Sequence, residues 1–178
     1  MALACRGDGM HVGRMVGGSH RPEGGLEDPS AYDLAASINW RSTVLMTGTT
    51  ESTPSVFDIL GGEAGIRRLV ERFYDVMDVD ADLKILRDVH GPSLDQARDK
   101  LYWYLCGYFG GPQHYIERFG HPRLRARHLP YAIGIVERDQ WLLCMGRAMK
   151  DLSYDEALIE RMLEVFFGVA DWMRNKDG

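Results

Sequence analysis

Residues 66–77 read IRRLVERFYDVM, and this stretch decides the fold. Its apolar side chains recur at intervals of three and four residues, which places them on one face of an α-helix. Most of the residues between them are charged. Because a helix with one apolar stripe must pack that stripe against other elements, the stretch predicts a helical core. The stripe consists of Ile66, Leu69, Val70, Phe73, Tyr74 and Met77.

Toward the C-terminus the same periodicity predicts three more helices. The first begins in Ser93–Gln96 and ends at Gly110-Gly111-Pro112, the second covers 139–152, and the third begins in Ser153–Glu156. Both serine segments have the S-x-x-E/Q spacing of a capping box, in which the two side chains bond the first N–H groups of a helix. No segment alternates with the period of a strand. The fold class predicted from the residues is all-α.

The segment 113–137 is less regular, with one short helical turn predicted near Arg123–His128. Pro130 restricts the backbone of the residue before it, so Leu129 is expected to leave the helical region. His128 would then stand at a stiff bend of the chain.

Residues 1–55 differ from the rest in containing eight glycines, only two aromatic residues and no clear periodicity. A segment with so little apolar surface cannot offset the entropy of ordering its chain. We therefore predict a disordered N-terminal extension over 1–55 and a folded domain over 56–178. Met46 is an alternative native start, in which case residues 1–45 are not part of the protein.

Charge and composition exclude several classes of function. The chain of 178 residues has a formal net charge of −5, and neither part of it is basic, which argues against a nucleic-acid partner. The longest stretch without Asp, Glu, Lys or Arg, 101–116, is broken by three glycines and a proline, so no membrane span is predicted. Cys5, Cys106 and Cys144 have no metal-ligand spacing, which favours a reduced, cytoplasmic protein.

No standard catalytic signature is found, but two features are unusual. Polar-tipped aromatic side chains fall on the inward helix faces, where they are either ordinary core residues or the lining of a cavity with a polar occupant. His128 is either an ordinary histidine or the single axial ligand of a haem. The aromatic residues are Tyr74, Tyr104, Tyr108 and Trp141.

Two nearly adjacent motifs resemble the truncated haemoglobins of group II. They are HPRLRARHLP at 121–130 and ERDQWLLCM at 137–145. Segments 57–62, 72–74 and 110–112 fit the same family, and the resemblance runs from about residue 56 to the C-terminus. It implies a shortened 2-on-2 helical sandwich globin fold, in which two helix pairs enclose one haem b.

The resemblance also implies a role for each of several residues. His128 matches the proximal histidine, which binds iron through Nε2 while its Nδ1–H bonds a backbone carbonyl. Tyr74 and Trp141 match distal hydrogen-bond donors, and His90 matches a third distal position. Ala97 lies where ordinary globins have a distal histidine, and Leu101 belongs to the apolar wall. Candidate contacts to the haem propionates are Lys100, Arg127 and Tyr115.

A distal side with two or three donors implies slow release of oxygen, nitric oxide and other diatomic gases. This favours nitric oxide dioxygenation or peroxide turnover over oxygen delivery, and such redox activity needs a separate reductase, since no flavin or nicotinamide module is encoded. A haem-based oxygen or redox sensor acting through a partner is the alternative. A haem-free helical interaction module is a third. The sequence leaves open whether the protein is a monomer or a homodimer.

Overall fold

The structure is a computed structural model that describes residues 54–177. The predicted disorder of residues 1–55, and Met46 as a start, therefore concern residues that lie almost entirely outside the described part. Within 54–177 no strand is present, and none of the helices is long and apolar enough to cross a bilayer. The helices are α1 (Val56–Ile59), α2 (Gly62–Val79), α3 (Lys84–Val89), α4 (Asp95–Tyr108), α5 (His114–Phe119), α6 (Leu124–His128), α7 (Ile135–Asp151) and α8 (Glu156–Trp172), with a 3-10 turn at Ala81–Leu83.

The apolar stripe of α2 lies at the centre of the core. Each of its six predicted residues, Ile66 to Met77, is at most 1% exposed. α2 packs against α4 and α7, and α7 packs against α8, so the pair α2–α4 lies on the pair α7–α8. Burial of each large apolar side chain contributes about 1.5–3 kcal/mol. The all-α class and the arrangement of two helix pairs are confirmed.

Both predicted capping boxes are wrong. α4 begins at Asp95, and Ser93 Oγ accepts from the Asp95 backbone N–H at 3.2 Å while it donates to the Asp95 carboxylate at 2.8 Å. α8 is capped by Asp155, whose carboxylate accepts from the N–H groups of Ala157 and Leu158. At α8, a carboxylate next to the helix start is a better acceptor for these N–H groups than a serine two residues earlier.

The segment before α7 is more helical than predicted. It contains both α5 and α6, and α7 begins at Ile135 instead of residue 139. Leu129 keeps a right-handed helical backbone (φ −54°, ψ −33°), so the prediction that Pro130 would remove it from the helical region is wrong. Its N–H donates to the Arg125 carbonyl at 3.0 Å, and Tyr131 N donates to the His128 carbonyl at 3.0 Å, so the bend is closed by hydrogen bonds on both sides of the proline.

The end of α4 is fixed by a close approach between Gly111 and α1. A Cβ atom on Gly111 would lie 2.4 Å from the ring of Phe57. The Phe57 N–H also donates to the Phe109 carbonyl at 3.2 Å. The glycines predicted to end α4 do so, and Gly110 takes a φ of +94°, which glycine adopts without strain.

Candidate functional site

His128, the last residue of α6, is completely buried. Its Nδ1 lies 2.5 Å from the carbonyl oxygen of Leu124. Because a carbonyl oxygen only accepts, Nδ1 carries the proton and Nε2 holds a lone pair. That Nε2 atom is buried and has no hydrogen-bond partner in the described part of the chain. An unsatisfied buried nitrogen costs about 1–3 kcal/mol, and a neutral imidazole held in this way has the form that binds a metal.

Burial also keeps His128 neutral. Removal of the ring from water lowers its pKa from 6.5 to about 4, although the bond to Leu124 acts in the opposite direction. The imidazole therefore keeps its Nε2 lone pair at neutral pH. A charge on His90 would lower this pKa further, which places the two histidines in one electrostatic environment.

The chain that follows His128 is held by the C-terminal segment. The Asn175 side-chain amide donates to the carbonyls of His128 (3.1 Å) and Tyr131 (2.8 Å), and its oxygen accepts from the Ile133 N–H at 3.1 Å. Arg125, on α6, donates to the carbonyls of Trp172 and Arg174. Sequence reasoning missed Asn175 and Arg125, because no local pattern joins α6 to a segment more than forty residues away.

Tyr74 and Trp141 lie on the neighbouring helices α2 and α7, and both contact the ring of Phe73. They are 0% and 1% exposed, and the ring of Phe73 lies 5.0 Å from the Tyr74 ring and 5.3 Å from the Trp141 ring. The indole nitrogen of Trp141 is buried without a hydrogen-bond partner. Because an indole N–H only donates, this atom is a buried donor that a bound molecule would satisfy.

The tautomer of His90, at the end of α3, is set by a backbone carbonyl. Its Nδ1 lies 2.9 Å from the Leu86 carbonyl, so Nδ1 is the protonated nitrogen, and Nε2 is buried without a partner. The His90 ring lies 5.9 Å from the Tyr74 ring in an edge-to-face arrangement. Burial lowers the pKa of His90 to about 4. In its neutral form His90 therefore offers an acceptor at Nε2, and its role on the distal side stays a prediction.

Gln140 fixes the helix that carries His90. Its side-chain oxygen accepts from the Leu86 backbone N–H at 2.7 Å, which joins α3 to α7. The N–H of Leu86 is thus held by Gln140, while its carbonyl is held by His90. Gln140 belongs to the motif at 137–145, but the sequence alone indicated no role for it.

The remaining predicted residues lie on α4, α5 and α6. Ala97 and Leu101 are 2% and 0% exposed, four residues apart on the buried face of α4. Arg127 lies 5.9 Å from the ring centre of Tyr115, a side chain that is 1% exposed, and Arg127 Nε donates to the Pro122 carbonyl. Lys100 is half-buried on α4. Contacts of Lys100, Arg127 and Tyr115 with propionates stay a prediction.

The three unpartnered ring nitrogens fit a haem better than a bare metal ion. Within residues 54–177, no cluster of three or more His, Cys, Asp or Glu side chains could hold a metal. Two buried imidazole lone pairs, on His128 and His90, are instead combined with large apolar surfaces and a buried N–H donor, on Trp141. This is the donor set that an axially ligated iron porphyrin needs.

Comparisons with known proteins agree with this chemistry. The family model described as bacterial-like globin matches residues 55–175. Over 99 residues the chain is 36% identical to the group 2 truncated hemoglobin YjbI of Bacillus subtilis (strain 168), a match that covers 56% of this chain and 73% of that protein.

Two solved structures show the same similarity. The group II 2-on-2 hemoglobin from the plant pathogen Agrobacterium tumefaciens has a TM-score of 0.68 and 38% identity, covering 73% of this chain and 100% of that one. The cold-adapted truncated hemoglobin from the Antarctic marine bacterium Pseudoalteromonas haloplanktis TAC125 has a TM-score of 0.65 and 40% identity, covering 69% and 99%.

Proposed function

The chain belongs to the bacterial-like globin family, as a truncated haemoglobin of group II, and from this premise we propose that it holds one haem b through His128 and binds diatomic gases on the opposite side. The family implies the haem, which supplies an iron able to bind oxygen, nitric oxide or carbon monoxide. The observation that carries the proposal is the Nε2 atom of His128, buried and without a hydrogen-bond partner on a ring oriented by Leu124.

The residues around His128 support an axial role because they hold the ring in one orientation. The Leu124 carbonyl selects the tautomer that leaves Nε2 bare, and Asn175 holds the backbone carbonyl of His128. A metal ligand whose other nitrogen is bonded in this way is both oriented and made more basic.

On the other side, Trp141 and Tyr74 would stabilise a bound ligand. The indole N–H of Trp141 donates, and the Tyr74 hydroxyl, on a side chain with 0% exposure, is the second donor. Each donor contributes about 1–3 kcal/mol toward a partially charged ligand in a site without water. Slow ligand release follows, which favours nitric oxide dioxygenation or peroxide turnover over oxygen delivery. Either activity needs electrons from a separate reductase.

The edges of the porphyrin would be held by residues of α4, α5 and α6. Ala97 and Leu101 would form the apolar wall, because neither side chain competes for a hydrogen bond. Arg127 and Lys100 would pair with the propionates, with Tyr115 beside them. A cytoplasmic location, and a monomeric or homodimeric state, complete the proposal as predictions from the sequence.

The deciding experiment is an absorption spectrum of the purified chain, ferric and then reduced under carbon monoxide, beside His128→Gly and the control His114→Gly. His114 is also a partly buried histidine, but its ring bonds the surface residue Glu63. We expect a Soret band in the wild type and the control, its loss or gross change in His128→Gly, and recovery on addition of free imidazole. No Soret band in the wild type after added hemin, or an unchanged band in His128→Gly, would contradict the proposal.

The alternative function, a haem-based sensor acting through a partner, depends on a surface that responds to the haem. Residues 1–45, which precede the globin domain, are the segment that such a role would use. If a chain without residues 1–45 keeps both its ligand binding and its effect in cells, the sensor hypothesis fails.

A further inference from the structure

We propose that His90 is a proton acceptor in the distal site, and that the ligand it serves is a hydroperoxide, a molecule that brings its own O–H group. The inference rests on the proposed function, since it assumes that the haem occupies the space beside His128. It goes beyond that function by assigning His90 the opposite hydrogen-bonding role from Trp141.

The tautomer of His90 follows from its backbone partner. The Leu86 carbonyl accepts from Nδ1 at 2.9 Å, so the neutral ring has no proton on Nε2. The Leu86 backbone is held in this orientation, because its N–H donates to the side-chain oxygen of Gln140 on α7 at 2.7 Å. The Nε2 atom therefore keeps its lone pair, which no group in the described part of the chain satisfies.

This lone pair lies in the same region as the distal donors. The His90 ring is 5.9 Å from the Tyr74 ring, which is 5.0 Å from Phe73, and Phe73 is 5.3 Å from Trp141. A continuous series of ring contacts therefore connects the ring that carries the acceptor nitrogen, His90, with the ring that carries the donor nitrogen, Trp141.

An acceptor and a donor together distinguish between classes of ligand. Oxygen, nitric oxide and carbon monoxide carry no hydrogen, so the lone pair of His90 offers them no hydrogen bond. A hydroperoxide can donate its O–H to His90 Nε2 while one of its oxygens accepts from Trp141 Nε1–H. A ligand with an O–H group therefore satisfies both His90 and Trp141, whereas a diatomic gas bonds only the donors and leaves the buried acceptor on His90 unpaired.

The proposed step is a proton transfer without transfer of electrons. The O–H bond of the hydroperoxide breaks, its proton forms a bond with His90 Nε2, and the bonding pair stays on oxygen. The products are a hydroperoxide anion, which is a stronger ligand for ferric iron than its parent, and an imidazolium that keeps its Nδ1 bond to Leu86. Burial, with a smaller contribution from the charge on Arg87, lowers the pKa of His90 to about 4, so Nε2 carries no proton at neutral pH before the ligand arrives.

The test compares His90→Phe with Trp141→Phe in the haem-loaded protein. We expect His90→Phe to slow the reaction of the ferric protein with hydrogen peroxide about 100-fold or more, as loss of a general base does. The same change should leave the rate of oxygen dissociation within about threefold, whereas Trp141→Phe should raise that rate about tenfold or more, since a factor of ten corresponds to only about 1.4 kcal/mol. If His90→Phe raises oxygen dissociation as much as Trp141→Phe does, His90 is a donor and the inference is wrong.

A second measurement does not depend on reactivity. In the carbon monoxide complex, ¹⁵N NMR should show His90 with a proton on Nδ1 and none on Nε2 at neutral pH. A proton on Nε2 would overturn the inference. So would a low-spin ferric spectrum that becomes high-spin in His90→Phe, because His90 would then bind the iron itself.

The two proposals fail in different ways. A wild-type chain that takes up no haem contradicts the proposed function. A chain that binds haem and carbon monoxide normally, but whose peroxide rate is the same in His90→Phe, contradicts only the role of His90.

Discussion

The regions around His128 and His90 are built alike but have different surroundings. Each histidine lies at the end of a short helix, bonds the carbonyl four residues earlier through Nδ1, and has a buried Nε2 without a partner. His128 is completely buried and its backbone is tied to Asn175, whereas His90 is partly exposed and lies beside Tyr74. The same local arrangement thus leaves an imidazole lone pair bare in both regions, and the neighbouring elements decide how firmly each ring is held and what lies beside it.

The largest difference expected between the two regions concerns haem retention. His128→Gly should weaken hemin binding at least about 100-fold, because loss of an outer-shell partner alone costs about 10–100-fold and here the ligand itself is removed. His90→Gly, which removes the same ring from the other region, should retain haem. Titration of each apoprotein with hemin measures both affinities. Equal losses in the two variants would mean that the regions are equivalent and that His128 is not the single axial ligand.

Acid should weaken the protein through His90. The pKa of His90 is lowered from 6.5 to about 4 on folding, so the unfolded chain binds more protons between these values. Stability should therefore fall as pH drops from 6.5 toward 4, by up to a few kcal/mol, and His90→Phe should remove this part of the loss. Urea unfolding of both carbon monoxide complexes at several pH values tests this. An acid loss of the same size in His90→Phe would show that other groups cause it.

The C-terminal segment should matter on the His128 side alone. Asn175→Ala removes bonds to His128, Tyr131 and Ile133, and should lower the free energy of unfolding by about 1–3 kcal/mol. Lys176→Ala is the matched control, because Lys176 is exposed and bonds Ile133 only through its backbone N–H. We also expect Asn175→Ala to shift the iron–histidine stretching frequency without changing the peroxide rate. An unaltered frequency would limit Asn175 to a role in stability.

The smallest effect concerns Tyr74. Tyr74→Phe keeps the ring that packs against Phe73 and His90 but removes the hydroxyl. Loss of one donor costs about 1.4 kcal/mol or more, which raises the oxygen dissociation rate about tenfold. Stopped-flow displacement of oxygen by carbon monoxide measures this rate. Unchanged rates in both Tyr74→Phe and Trp141→Phe would show that the distal side does not retain oxygen through hydrogen bonds.

Much of the fold was predictable because helix periodicity is a local property. The stripe from Ile66 to Met77 is buried as predicted, and the glycines at 110 and 111 end α4. Helix starts were less predictable, because several nearby side chains compete for the same N–H groups. Asp155 caps α8 instead of Ser153, and α7 begins before residue 139.

Parts of the candidate site were also predictable from short motifs. His128, Tyr74 and Trp141 were identified from the resemblance, and the structure shows that all three are buried. Asn175 and Gln140 were not identified, since their partners lie 47 and 54 residues away in the chain. Such contacts leave no periodic pattern in a single sequence.

The amino-acid sequence by itself determined the helical class, the buried faces and the residue types available to a haem, because these depend on side-chain chemistry and spacing within a few turns. The tertiary structure alone decided that His90 presents a lone pair, because its tautomer is set by the Leu86 carbonyl, whose own peptide is held from α7 by Gln140. It also decided how firmly His128 is held, because the packing of α8 on α7 brings Asn175 to that loop. Whether one ring nitrogen of a histidine donates or accepts depends on the hydrogen-bond partner of the other ring nitrogen, and folding places that partner.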